Sequence, residues 1–217
     1  MQEPGKIHPT WTANKKKLGE FDGNDHKIRF CLDYTSGAKV LDLGCVQHNP
    51  KNYQSKYWLH KALLSNAREV TGLDYDKAGT EYLRQLGFNV TYGDACNFVA
   101  NGDYDVIVAG DIIEHLTNFD GFFKSCSMSL ADGGVLLIST PNPWYWRYIV
   151  KAALFSKVSN NSEHTCWLDP VTLSQLAERY GFFIEEIRFG SRYLKDRILP
   201  LPRGIKHTSF HASLRRR

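Results

Sequence analysis

The segment Gly110–Leu116, GDIIEHL, places two carboxylates and an imidazole at positions i, i+3 and i+4: Asp111, Glu114 and His115. If the segment turns helical, these offsets bring all three side chains onto one face. Acids at a helix start are explained by the positive end of the helix dipole. The histidine beside them is not. An imidazole titrates near neutral pH, so beside carboxylates it can exchange a proton or share a cation. The plain alternative is a capped helix start, with Asp111 turned to a ligand, Glu114 as a cap and His115 a satisfied core histidine. The choice depends on the elements that position the segment.

Those elements alternate regularly. Apolar runs ended by Gly or Asp predict buried strands at Ala38–Gly44, Glu69–Asp74, Phe88–Asp94 and Tyr104–Gly110, and Gly134–Thr140 reads as another. Phe182–Gly190 alternates as a sixth strand, and His207–Leu214 reads as a seventh. Helices are expected at Asp25–Thr35, Tyr53–Ala67, Lys77–Gly87, Phe119–Leu130 and Asp169–Gly181, the last with an acid cap and Pro in its first turn. Strands alternating with helices predict an α/β fold with a doubly wound, mostly parallel seven-stranded sheet and helices on both faces. In such a sheet ligands bind beyond the carboxyl ends of the strands. GDIIEHL leaves one of those ends. Residues 1–23 read as an N-terminal arm or lid and 24–217 as the domain, with an aromatic insertion at about 141–165.

At 217 residues with 42% hydrophobic content, the chain can bury a sizeable core. The net charge is +4, but three of those charges are the terminal Arg215–Arg217. Bulk charge therefore argues against a nucleic-acid partner. Five widely spaced cysteines without a C-x-x-C argue against a zinc ribbon or a disulfide framework. Reduced thiols, no apolar leader and no long apolar run predict a cytoplasmic protein.

Three strand ends carry acids suited to a nucleoside. Asp42-Leu43-Gly44-Cys45 ends the first strand, and a glycine there lets backbone approach a ligand. Asp74 ends the second and can accept from ribose hydroxyls. Gly93-Asp94-Ala95 ends the third and can accept from an adenine amine. Each alone reads equally as a cap or turn. Together, with YDVIVAG and LADGGVLLISTPN behind them, they resemble the class I S-adenosylmethionine-dependent methyltransferases, over about Ala38 to Gly190. The resemblance implies S-adenosyl-L-methionine as cofactor. Gly44 with Asp42 and Cys45 would face its methionine part, Asp74 with Tyr75 its ribose, and Asp94 with Ala95 its adenine, Gly110 closing the set. The family's D-x-G-x-G-x-G loop reads here Asp42 to His48, with Val46 and His48 at its second and third glycines.

GDIIEHL is similar to the segment after the fourth strand in ubiquinone-pathway O-methyltransferases and in small-RNA terminal 2′-O-methyltransferases. Both have acid-x-x-Glu-His there and a further histidine downstream; the matching histidine here is His164 in Ser162-Glu163-His164-Thr165. The resemblance implies a divalent metal held by Asp111, Glu114, His115 and His164. Two carboxylates and two imidazoles suit Mg²⁺, Mn²⁺, Fe²⁺ or Zn²⁺. Two other readings stay open: His164, with His115, as a base without metal, or positioning alone, because the sulfonium is already reactive.

PNPWYWRYIVKAALF (Pro141–Phe155) follows the fifth strand. Trp144, Trp146 and Arg147 are the substrate candidates, since aromatics stack on a ring or sugar and a cation holds a phosphate. The segment also reads as a packed lid, or as an amphipathic helix on a membrane surface. The expectation is O-methylation of a small molecule or glycan precursor, with peripheral membrane contact and the oligomeric state left open. The alternatives are an RNA-end 2′-O-methyltransferase and a non-catalytic protein of the same fold.

Overall fold

A computed structural model describes residues 23–98, 103–156, 161–190, 196 and 198–217. Except for Gly23, the expected N-terminal arm lies outside these residues, as do residues 157–160 of the aromatic insertion. Seven strands form one sheet: β1 (Lys39–Leu43), β2 (Glu69–Asp74), β3 (Val90–Tyr92), β4 (Tyr104–Gly110), β5 (Leu130–Pro141), β6 (Phe182–Phe189) and β7 (Ser209–Arg216). Their order is β3-β2-β1-β4-β5-β7-β6. Strands β1 to β5 pair in parallel, and β7 runs antiparallel to both β5 and β6. The order reverses between β1 and β4, where Leu43 pairs with Ala109, so the loops leaving these two strands face one another.

Both faces of the central strands are buried, which is why they read as unbroken apolar runs. Val40, Val106, Val108 and Leu137 pack under α1 (Gly23–Thr35) and α2 (Leu59–Leu64), against Ile28, Phe30, Leu59 and Leu63. Leu41, Leu43, Ile107, Ala109 and Ile138 point the other way. They meet Phe122 and Phe123 of α4 (Phe119–Ser129) and Leu173 and Ala177 of α6 (Pro170–Arg179). Asp169 caps α6 by accepting from the Val171 and Thr172 amides, with Thr172 returning a bond to the cap backbone, an arrangement worth about 1 kcal/mol. The remaining helices are α3 (Lys77–Gln85), α5 (Trp146–Phe155) and α7 (Arg203–Lys206).

The helix expected over Tyr53–Ala67 is a correction. A 3-10 turn at Pro50–Gln54 starts on the Asn49 side chain, and the chain is extended at Ser55 and again at Trp58, so α2 keeps only six residues. The indole of Trp58 is the physical reason: it is buried and donates to the Cys45 carbonyl at 2.7 Å. A continuous helix would carry it away from that loop.

A polar seam runs beneath α1. Lys27 reaches Asp111, Tyr34 donates to Glu186 and Ser213, and Arg188 pairs with Glu186 and Asp33. His211 on β7 stacks on Phe30 with ring centroids 5.5 Å apart and has no hydrogen-bond partner on either nitrogen among the described residues. Burial pushes its imidazole down to about 3, with Lys27, His26 and Arg188 adding to the effect and Asp111 opposing it. The folded value lies below the unfolded value of 6.5. The unfolded chain therefore binds more protons in this window, and stability falls as pH drops from 6.5 toward 3. One such proton gives a slope of at most about 1.4 kcal/mol per pH unit. His211→Gln should flatten that slope in urea denaturation compared between pH 7 and pH 5. An unchanged slope would show that His211 is solvated.

Candidate active site

The first part of the site is the loop after β1. Asp42 shares a face of β1 with Val40, so its carboxylate turns inward to α2, where it meets Nδ1 of buried His60 at 2.9 Å. Gly44 holds φ +82, and a β-carbon there would lie 2.5 Å from Ile112, so the loops after β1 and β4 touch at this residue. Cys45 and Val46 turn into a small core with Trp58, Leu83 and Val90. Burial pushes the Cys45 thiol up, so it is no thiolate nucleophile. Val46 fills the space beside Gly79, where a β-carbon would meet it at 2.6 Å. A valine is accommodated at the family's second glycine because the chain there faces the interior. Positive φ moves to Gln47 (φ 54) and His48 (φ 62), at a cost of about 1–2 kcal/mol each.

Asp74 ends β2 and clamps this loop. One carboxylate oxygen accepts from the Val46 amide at 2.8 Å and the other from Asp76 at 2.9 Å. Burial raises its pKa and the two amides oppose that rise. Each oxygen keeps a lone pair for a hydroxyl donor. Tyr75 beside it is 74% exposed, so its ring is available to a ligand. Asp94 is exposed and accepts from the Cys96 amide at 2.8 Å, with Ala95 half-buried next to it. Gly110 packs under Leu59, where a β-carbon would approach to 2.9 Å.

The second part follows β4. GDIIEHL does not continue as a helix: Asp111 takes φ 57, and only Ile113–His115 form a 3-10 turn. The common face expected for Asp111, Glu114 and His115 is thereby lost. Asp111 accepts from Lys27 Nζ at 2.7 Å and from Ser139 Oγ at 2.7 Å. Burial alone would raise its carboxyl, but Lys27 and Ser139 outweigh it and hold it low. Both oxygens already accept a hydrogen bond, and Asp111 is not among the side chains whose ligand atoms converge.

The other three candidates converge. Ligand atoms of Glu114, His115 and His164 all lie within 4.8 Å of one another. The His115 and His164 rings meet edge to face with centroids 4.9 Å apart. The segment carrying His164 is bound to the turn: Thr165 gives its amide to the Glu114 carbonyl at 2.8 Å and its hydroxyl to the Glu114 and Leu116 carbonyls. The Glu163 carbonyl lies 3.2 Å from His115 Nδ1, so that nitrogen is the donor and Nε2 is the free one. Glu114 is buried and accepts from Thr140 Oγ1 at 3.0 Å. Burial, reinforced by the Asp111 charge, pushes its carboxyl up to about 8. Burial and then His115 push the His164 imidazole down, so it is neutral at physiological pH. His164 Nδ1 is buried without a hydrogen-bond partner among the described residues. A buried carboxyl, a neutral imidazole with an orphaned nitrogen and a second imidazole with Nε2 free form a donor set that fits a divalent cation.

The third part is the aromatic insertion. Tyr145, Trp146 and Arg147 all bond the buried Asp196 carboxylate, at 2.7, 3.1 and 3.3 Å. Burial would raise that carboxyl, and these three donors outweigh it. Trp146 and Arg147 are thus wall residues as much as substrate candidates, whereas Trp144 is 54% exposed. Tyr148 and then Trp167 lead to His164, with centroid steps of 5.4 and 6.0 Å. Sequence reasoning missed Lys27, His60, Thr140 and Trp167 as site residues. Thr140 had a signal, because it ends the strand expected at Gly134–Thr140, next to Ser139, which pairs with Gly110. The others lie on elements whose approach to the site no local pattern announces.

Comparison with known proteins bears on this arrangement. A family model described as a methyltransferase domain matches residues 19–187. A probable S-adenosylmethionine-dependent methyltransferase of Mycolicibacterium smegmatis is 32% identical over 70% of this chain, which spans 54% of that protein's length. A ubiquinone biosynthesis O-methyltransferase of Psychrobacter arcticus is 25% identical over 86% of this chain and 74% of its own. Among solved structures, an S-adenosylmethionine-dependent methyltransferase of Archaeoglobus fulgidus shares the fold, with a TM-score of 0.64 at 16% identity over 88% of this chain and 91% of that one. With the matching family model spanning most of the chain and the relatives above beside it, the chain belongs to the class I S-adenosylmethionine-dependent methyltransferases.

Proposed function

We propose that this chain methylates an oxygen of a small molecule or glycan precursor, with a divalent cation held by Glu114, His115 and His164 beside the acceptor. The observation that carries the reading is the convergence of those three ligand atoms within 4.8 Å where β4 leaves the sheet. The orphaned Nδ1 of His164 supports it. The Psychrobacter relative, named for O-methylation in ubiquinone biosynthesis, supports oxygen as the acceptor atom.

S-adenosylmethionine supplies the methyl group as an electrophile on a positively charged sulfur. Asp74 accepts from its ribose hydroxyls while still holding the Val46 amide, so one carboxylate shapes the loop and binds the ligand. Asp94 and Ala95 take the adenine, and Tyr75 offers its exposed ring beside Asp74. Gly44 offers backbone to the methionine part. Asp42 and Cys45 act from beneath, through His60 and Trp58, as positioning residues. A cation at the acceptor end would lower the pKa of a bound hydroxyl and fix its direction. Glu114, held by Thr140, and the two imidazoles set where that hydroxyl stands. Methyl transfer needs the oxygen about 3 Å from the carbon and in line, so placement accounts for much of the rate.

Trp144 offers its exposed face to the acceptor, and Trp146 and Arg147 form the wall behind it. The outer face of α5 exposes Ile149, Val150, Leu154 and Phe155. With Lys151 interleaved and no acid in the helix, it supports peripheral membrane contact. Among the described residues no helix is long and apolar enough to cross a membrane.

Asp74→Ala should weaken S-adenosylhomocysteine binding at least tenfold by calorimetry, since it removes charge-assisted hydrogen bonds worth roughly 1.5–3 kcal/mol each. Unchanged affinity would remove the ribose assignment. Chelator-stripped protein should bind one Mn²⁺, detectable by electron paramagnetic resonance, and Glu114→Ala should abolish that site. His164→Ala should lose the Mn²⁺ site and at least a hundredfold in turnover while keeping S-adenosylhomocysteine affinity within threefold. Turnover lost with the Mn²⁺ site intact would instead support His164 as a base without metal.

A further inference from the structure

We propose that His48 is a further ligand of the acceptor-side centre, delivered by the cofactor loop, and that it makes the site a nitrogen-rich one that prefers Zn²⁺ or Mn²⁺ to Mg²⁺. The inference rests on the metal reading above and specifies its donor set.

His48 stands where the family loop has its third glycine, and it adopts φ 62 directly after Gln47 at φ 54. Two successive side chains in the left-handed region persist only where their surroundings over-determine them. The loop is so determined. Asp74 holds the Val46 amide, Asn52 donates to the Gln47 carbonyl at 2.9 Å, and Trp58 holds the Cys45 carbonyl. No core contact accounts for the imidazole itself, whose side chain is 67% exposed. It stands beside the acceptor cluster, outside the three side chains whose ligand atoms lie within 4.8 Å of one another. Its ring centroid lies 6.0 Å from that of His115, and its Nδ1 lies 3.8 Å from Glu163 Oε2.

Glu163 therefore addresses two imidazoles from one position. Its carbonyl takes His115 Nδ1, and its carboxylate faces His48 Nδ1. The Glu163 carbonyl leaves the His115 ring with Nε2 as its lone-pair nitrogen, the arrangement that outer partners of metal-bound histidines produce. At 3.8 Å the Glu163–His48 contact is looser than a hydrogen bond, and both side chains are exposed enough to turn about their own bonds. One carboxylate with three imidazoles suits borderline metals. Mg²⁺ demands oxygen ligands and keeps its waters, so it gains little from a third imidazole.

The test titrates the chelator-stripped full chain with Zn²⁺, Mn²⁺ and Mg²⁺ by calorimetry, in wild type, His48→Gly, His48→Asn and Glu114→Ala. Thermal melts and S-adenosylhomocysteine titrations are run in parallel. Wild type should bind Zn²⁺ at least tenfold tighter than Mg²⁺. His48→Gly and His48→Asn, both at home in the left-handed region, should weaken Zn²⁺ tenfold or more. They should leave S-adenosylhomocysteine affinity within threefold and should not lower the melting temperature. Zn²⁺ affinity unchanged in both His48 variants, with the site still lost in Glu114→Ala, would overturn the role of His48 and leave the three-ligand reading standing. Parallel losses of Zn²⁺ affinity, S-adenosylhomocysteine affinity and melting temperature would make His48 a structural residue of the loop, which also overturns the proposal. A wild-type chain that binds none of the three cations would remove the metal reading, and this inference with it.

Discussion

The cluster of Glu114, His115 and His164 is organised by backbone bonds between two segments far apart in sequence. The turn after β4 stops after Ile113–His115, and this leaves the Glu114 and Leu116 carbonyls without helical partners. Carbonyls left open at a helix end need donors from elsewhere. Thr165 supplies them with its amide and hydroxyl, and in doing so fixes its neighbours. His164 lands against His115, and the Glu163 carbonyl sets the His115 tautomer. Had GDIIEHL continued as a helix, those carbonyls would be satisfied internally and the 163–166 segment would have nothing to dock on. The turn stops because the backbone is extended at Leu116, and the left-handed Asp111, tied to Lys27 and Ser139, sets where it begins.

A second constraint shapes the cofactor end. The loop after β1 lacks two of the glycines expected of the family and is held by side chains from other elements. Asp74 grips one of its amides, Trp58 one of its carbonyls, and His60 the acid beneath it. Val46 is buried, and the left-handed backbone of this loop falls at Gln47 and His48. The same loop touches the turn after β4 through Gly44 and Ile112. The two ends of the site are therefore mechanically linked. Displacing Gly44 would move Ile112, and Ile112 immediately precedes the turn that carries Glu114 and His115.

The sheet was legible because parallel strands covered on both faces read as largely apolar runs, and four of the five ended in Gly or Asp. The strand-end acids Asp42, Asp74 and Asp94 were legible for the same reason, as polar punctuation at one edge. Their orientations were not. Alternation along β1 puts Asp42 on the face of Val40, but only the placement of α2 brings His60 to it. The helix expected over Tyr53–Ala67 failed because Trp58 has a tertiary partner in the Cys45 carbonyl, which local propensity cannot register. The common face expected for Asp111, Glu114 and His115 failed because one left-handed residue redirects the first of them. Glu114, His115 and His164 were readable as residue types, whereas their convergence depends on bonds from Thr165 that no spacing rule predicts.

The central claim is that this edge of the sheet holds a methyl donor on Asp74 and a cation between Glu114, His115 and His164. The measurement that tests it most directly is anomalous diffraction from crystals grown with S-adenosylhomocysteine and Mn²⁺. The account predicts a manganese peak bounded by those three side chains and ribose density on the Asp74 carboxylate. No peak at that position with the nucleoside bound, or a nucleoside bound away from Asp74, would contradict it.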